Sequence, residues 1–177
     1  MDRYITLLLF IGLAWGQNEY NIKHIVDQDS VYKKKFSDEI VNGNIYQMTD
    51  DMKVPLGKMK NGKKDGLWTE WYPNMRKLEE TYKHGMLDGS VSLYYKTGQK
   101  EWRHTYNNGQ FEGLWTYWYE NGQKMREGNF MCGDSTGKWI WWDKNGRVEK
   151  EKKYKNRKNA IWANYNEYVL IETVTEP

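Results

Sequence analysis

The chain of 177 residues contains a single cysteine, Cys132. One thiol excludes an internal disulfide and a cysteine-based zinc cage, so stability has to come from the sheet itself. A large excess of one charge is also missing. Lys and Arg number 27 against 24 Asp and Glu, and a net charge of +3 does not argue for a nucleic-acid partner. The apolar run Tyr4 to Leu13 is ten residues long, short of the roughly 20 that a bilayer-spanning helix needs. Leu, Ile and Val are scarce through the middle of the chain, which argues against a thick aliphatic core.

Rings and glycine are what the chain does have: 10 Trp, 14 Tyr and 16 Gly, with a hydrophobic fraction of only 38%. The glycines are not scattered. Leading glycines fall at 43, 66, 89, 113 and 137, so the period is 23 or 24 residues, the signature of stacked supersecondary units rather than one globular core. Two residues after each leading glycine come Ile45, Trp68, Val91, Trp115 and Trp139, and five after it come Met48, Trp71, Tyr94, Trp118 and Trp142. Nine after it stand Met75, Gly98, Gly122 and Gly146. A further glycine precedes the next unit by four residues, at 62, 85, 109 and 133.

Glycine at such intervals would cost a helix about 1 kcal/mol each, so the unit reads as two short strands and two turns. Asn121-Gly122 and Asn145-Gly146 predict tight hairpin turns with positive φ at both central residues, and Asn61-Gly62 and Asn108-Gly109 predict the same at the other end. Met75, standing where other units have glycine, predicts a different turn type that avoids positive φ. The 24-residue units carry an extra residue in the second strand or its adjoining turn, consistent with a bulge.

The pattern G-x-W-x-x-W/Y-Y-x-x-G, then an aromatic, then N-G-x-x-x-G, resembles the variant MORN repeat of bacterial proteins in the YwqK-like antitoxin group. The resemblance covers residues 43–156, about two thirds of the chain. It implies a non-enzymatic, elongated antiparallel β array that binds other molecules, and an antitoxin or immunity role. The expected fold class is therefore all-β: an elongated antiparallel meander of stacked β-hairpin repeats (MORN-like) with short terminal caps. About ten strands at 4.8 Å would make a ribbon on the order of 48 Å long.

Four segments follow. Residues 1–16 read as a signal peptide: Arg3 near the start, the apolar run, then Ala14-Trp15-Gly16 as a small-x-small cleavage site. Loss of that segment removes Asp2 and Arg3 together and leaves the charge unchanged. Residues 17–42 form an N-terminal cap, 43–156 the repeats, and 157–177 a C-terminal cap or strand, in which Tyr168 to Ile171 has strong strand character. Export to the periplasm, cell surface or medium is the expected localisation.

Regular rings are first of all scaffold, because cross-strand aromatic pairs hold a sheet together. The column Trp71, Tyr94, Trp118 and Trp142 is the candidate binding face. Met75, His104 and Asp143 break the repeat and are the other candidates. No catalytic, cofactor or metal signature holds up. The segment Gly133 to Gly137 resembles a serine-protease nucleophile loop but occupies a repeat turn, and as a phosphate loop it has the wrong spacing and Trp139 in place of Ser or Thr. His24, His84 and His104 lack metal-ligand spacing, and Asp27-Gln28-Asp29 lacks the glycine and distal glutamate of a calcium loop. The lysines of 149–158 suit a protected sheet edge. The expected activity is therefore protein binding, with a glycan or a membrane surface as the alternative ligand.

Overall fold

A computed structural model describes residues 18–155. The expected signal peptide and C-terminal cap lie outside the described residues. The chain runs through β1 (Glu19–Asn21), a 3-10 turn (Ile22–His24), β2 (Ile25–Gln28), β3 (Val31–Lys34), β4 (Gly43–Thr49), β5 (Met52–Lys60), β6 (Lys63–Trp71), β7 (Lys77–Lys83), β8 (Met86–Tyr94), β9 (Lys100–Asn107), β10 (Gln110–Phe111), β11 (Gly113–Trp118), β12 (Lys124–Met131), β13 (Asp134–Trp142) and β14 (Val148–Tyr154). Apart from the short β10, which pairs only with β9, neighbours in sequence are neighbours in space from β4 to β14, so the repeats form the expected antiparallel meander. The short β1 adds to the edge of β4 in parallel, and β2 and β3 form a separate hairpin.

The two ends of each unit turn differently. At one end Asn61-Gly62, His84-Gly85, Asn108-Gly109 and Cys132-Gly133 all hold both residues at positive φ, the two-residue turn whose twist matches that of the strands. At the other end only the glycine is positive. Gly98 and Gly122 donate their N–H groups to the carbonyls of Tyr95 and Tyr119, and the N–H groups of Tyr95 and Tyr119 reach Gln99 and Gln123, giving a three-residue loop with a glycine bulge. This corrects the expectation for Asn121-Gly122 and Asn145-Gly146. In this loop the glycine takes the one left-handed position, so asparagine keeps an ordinary φ. It also corrects Met75, which adopts φ +62° in the same turn, with Met75 N–H to Tyr72 O and Tyr72 N–H to Arg76 O. The hairpin bonds hold Met75 in a conformation its side chain disfavours.

The additional residue of the longer units lies at the start of the second strand. Trp71 opposite Lys77 and Glu70 opposite Leu78 leave no residue over, whereas the register shifts after Leu93 and Tyr117 leave Glu101 and Met125 without opposite numbers. Glu101 uses its position to pair with Arg76 of the preceding turn.

The units are stitched together at both edges. Gly85, Gly109 and Gly133 donate their N–H groups to Lys64, Leu87 and Phe111 of the unit before, at 2.7–2.9 Å. The amides of Asn61, Asn108 and Cys132 reach the side chains of Asn42, Asp88 and Glu112. At the opposite edge the Tyr95 and Tyr119 hydroxyls donate to the carbonyls of Trp118 and Trp142, each 23 residues on.

The compact core lies at the N-terminal end. Ile25 and Val41 pack with Ile45, Met59 and Trp68, and the last four are no more than 2% exposed. Tyr32 N–H to Gly62 O ties the β2–β3 hairpin to the first repeat turn. Beyond that point, among the described residues, no second layer of strands or helices is formed, and the rings pack along the sheet instead.

Candidate functional site

Strand alternation divides the side chains between two faces, named here for Trp115 and Trp118. On the Trp118 face the candidate column Trp71, Tyr94, Trp118 and Trp142 does line up, and the register inserts a lysine between successive rings: Trp71 opposite Lys77, Lys77 opposite Tyr94, Tyr94 opposite Lys100, Trp118 opposite Lys124. The ammonium groups stand 4.3–6.0 Å from the ring centroids. Lysine stems thereby shield rings on a face that no described strand or helix covers. Two of these lysines are already neutralised, Lys77 by Glu79 and Lys124 by Glu127, both at 2.7 Å. Burial opposes ionisation of Glu79, but the hydrogen bonds from Lys77 and Tyr94 outweigh it and lower its pKa. Burial and the bond to Glu79 push the Tyr94 phenol up to about 12. Trp71 remains 58% exposed.

The Trp115 face shows what the ring-and-glycine pattern is for. Gly57 and Gly128 fall outside the leading and turn positions, and each lies under the ring of the next unit's tryptophan. A Cβ on Gly57 would come within 2.6 Å of the Trp68 indole, and one on Gly128 within 2.0 Å of Trp139. Seated there, each indole N–H reaches the carbonyl one residue past the glycine: Trp68 to Lys58 at 3.0 Å and Trp139 to Asn129 at 3.3 Å. Sequence reasoning missed these glycines because they break the lattice. The signal was their own spacing, 11 residues ahead of the tryptophan in both cases.

His104 occupies the same place one unit earlier. It faces Val91 as Gly57 faces Ile45 and Gly128 faces Trp115. An imidazole cannot let the tryptophan down, so Trp115 stacks upon it at 3.6 Å, with Trp102 against the other side at 4.1 Å. His104 is 7% exposed, and burial with the nearby Arg126 charge lowers its pKa to about 4, leaving the ring neutral near pH 7. The lifted Trp115 no longer reaches a carbonyl. Its Nε1 and the His104 Nε2 are both buried without a hydrogen-bond partner among the described residues.

The other two repeat-breaking candidates are elsewhere. Met75 is 73% exposed at its turn, far along the chain from His104. Asp143 stands where Tyr95 and Tyr119 reach forward to the next unit; no further turn follows it among the described residues. Its carboxylate instead accepts from the amides of Asn145 and Arg147 at 2.8 Å. The Arg147 bond, ahead of the Asn145 bond, lowers its pKa. Asn74 and Asn121 cap their own turns in a similar way, accepting from the amides of Arg76 and Gln123.

Among the described residues no group of three or more His, Cys, Asp or Glu could hold a metal ion, and no helix is long and apolar enough to cross a membrane. Comparison with known families matches residues 111–131 and 135–156 to the MORN repeat variant. No curated protein matches the chain. The two matched stretches each cover one hairpin, β11 with β12 and β13 with β14, and the same turns and stitching hydrogen bonds recur in the units before them. Residues 111–131 and 135–156 thus carry the MORN repeat variant.

Proposed function

We propose that this is an exported, non-enzymatic β-repeat protein that binds a protein partner. The observation that carries the reading is a sheet one layer deep whose two faces both present rings, with the described N-terminal hairpin covering only the Trp68 end. Ring-rich surface of that extent characterises interaction sites. Repeat arrays provide it because each unit needs only its neighbours for stability, which frees the broad faces for contact. Neutralising a toxin by covering it, as the resemblance to the YwqK-like group implies, is one form such binding can take. A glycan ligand is the weaker reading, because lysine stems already cover the rings of the Trp118 column that would stack on sugars.

Capture of a stoichiometric protein partner from the source cells by the full chain, confirmed by sedimentation of the purified pair, is the expected result. Retention on cell-wall polysaccharide or lipid with no protein partner would overturn it. The export half is tested separately by the N-terminus of the protein recovered from cells, which should be Gln17; an intact Met1 in the cytoplasm refutes it.

A further inference from the structure

One register row of the Trp115 face has no equivalent on the other. It runs Glu70, Leu78, Leu93, Trp102, Tyr117, Arg126, Trp141 and Lys150, each opposite the next. The row starts acidic and aliphatic and ends aromatic and basic. At its start Glu70 is answered by Lys64, which also approaches Glu80. At its end no described residue answers. The Arg126 guanidinium lies 3.9 Å over the Tyr117 ring and Lys150 lies 5.4 Å over Trp141, yet neither makes an ion pair with a described residue. Lys152, on the same face one row over, lies 4.8 Å over the Tyr154 ring and likewise makes no ion pair with a described residue. The Arg126 Nε is buried and unpartnered. It joins the His104 and Trp115 nitrogens, so three of the four such atoms among the described residues gather at this one place.

We propose that this stretch of the Trp115 face, from Trp102 to Lys150, docks an extended acidic segment of the partner protein. The proposal rests on the protein-binding reading above. Arg126, held between Tyr117 and Trp141, takes a carboxylate in a ring-walled site, where a charge-assisted bond is strongest. Lys150 and Lys152 take further acid at the rim. Five strands span about 19 Å, the reach of roughly six residues of extended peptide. Tyr, Trp and Arg together are the residue types that dominate binding energy at protein interfaces. A nucleic-acid strand fits less well: three cations and a net charge of +3 are few against the charge density of a phosphate backbone. On the opposite face Lys77 and Lys124 are already paired, and Lys100, which makes no ion pair with a described residue, lies over the Tyr94 and Trp118 rings with no buried unpartnered nitrogen beside it.

The test uses the full chain and four fluorescent probes: a decapeptide of alternating Glu and Tyr, its Lys-Tyr counterpart, a ten-base oligothymidylate and phosphatidylserine vesicles. The Glu-Tyr peptide should bind best and weaken with salt. Arg126→Gln should reduce its affinity on the order of tenfold and Lys150→Gln a few-fold, while Lys77→Gln and Lys124→Gln leave it unchanged. Should Arg126→Gln lose its strand signal by circular dichroism, the exposed Lys150→Gln decides. Equal binding by the Arg126 and Lys150 variants overturns the site, as does tighter binding of oligonucleotide or vesicle through the same residues. Concentration-dependent dimers abolished by Arg126→Gln would give the face to a second copy and overturn it too. A natural partner captured equally by wild type and Arg126→Gln removes this site while leaving protein binding intact; absence of both partner and peptide binding removes both.

Discussion

Gly128→Ala tests the central packing argument. The added methyl carbon would lie 2.0 Å from Trp139 Cδ2 and 2.2 Å from Cε2, far inside contact distance, and the atoms it meets belong to the body of a buried indole that is 6% exposed. The ring must lift. Lifting breaks the Trp139 N–H bond to Asn129 O, worth about 1 kcal/mol, and the overpacking itself costs about 1–3 kcal/mol. Against that, alanine loses less backbone freedom on folding than glycine and returns about 0.4–1 kcal/mol. The net expectation is a loss of about 1–3 kcal/mol, or a melting midpoint lower by roughly 3–10 °C for a chain of this size. Thermal and urea denaturation followed by tryptophan fluorescence measure it. Trp139→Ala provides the control, because in that background the same glycine change should cost little or even stabilise. A midpoint unchanged in the wild-type background, or an equal loss with and without the indole, would falsify the reasoning.

Three further expectations concern the repeat-breaking residues and the turns. The depressed pKa of His104 means that the folded protein resists protonation while the unfolded chain accepts it; its contribution is full above about pH 6.5 and is lost progressively as pH falls toward about 4. His104→Phe should therefore flatten the stability profile in that window by about 2–3 kcal/mol, and a parallel pair of profiles would count against the assignment. Tyr119→Phe removes the hydroxyl bond to Trp142 O and should cost about 1 kcal/mol in urea denaturation, whereas Tyr72→Phe, at a residue 44% exposed and without a hydroxyl partner among the described residues, should be silent; equal effects would remove the role given to this ladder. Gly113 has φ +76°, and a methyl carbon there would meet only Thr105, at 3.9 Å, so Gly113→Val should lose about 1–3 kcal/mol through backbone strain while Gly113→Asn loses less; valine and asparagine melting alike would place the cause elsewhere.

The repeat period, the strands and the position of nearly every turn were legible in the sequence because they are local. A glycine recurring every 23 or 24 residues and an aromatic two places later are fixed by φ and by strand alternation, and neither needs a distant partner. Turn type was less legible. Asn-Gly favours positive φ at both residues, yet Asn121 and Asn145 do not adopt it, because the hairpins close as three-residue loops, Tyr119 N–H to Gln123 O and Asp143 N–H to Arg147 O, that need positive φ only at the glycine. Met75 departs from expectation for a related reason, since the hairpin bonds on either side outweigh the local cost of a side chain at φ +62°.

Sequence alone determined the β meander and put the Trp71, Tyr94, Trp118 and Trp142 column on one face. It also determined that His104 and Asp143 were unlike their counterparts. Only tertiary structure decided what those differences mean. Asp143 caps its own loop through the amides of Asn145 and Arg147, where Tyr95 and Tyr119 reach across to the next unit. His104 became a buried, neutral ring between two tryptophans because it fills the seat that Gly57 and Gly128 leave open in two other units, and that seat exists only when two strands some ten residues apart lie side by side. The unpaired cations at Arg126 and Lys150 were invisible for the same reason: net charge sums over the chain, whereas an ion pair needs two side chains on the same face within about 4 Å.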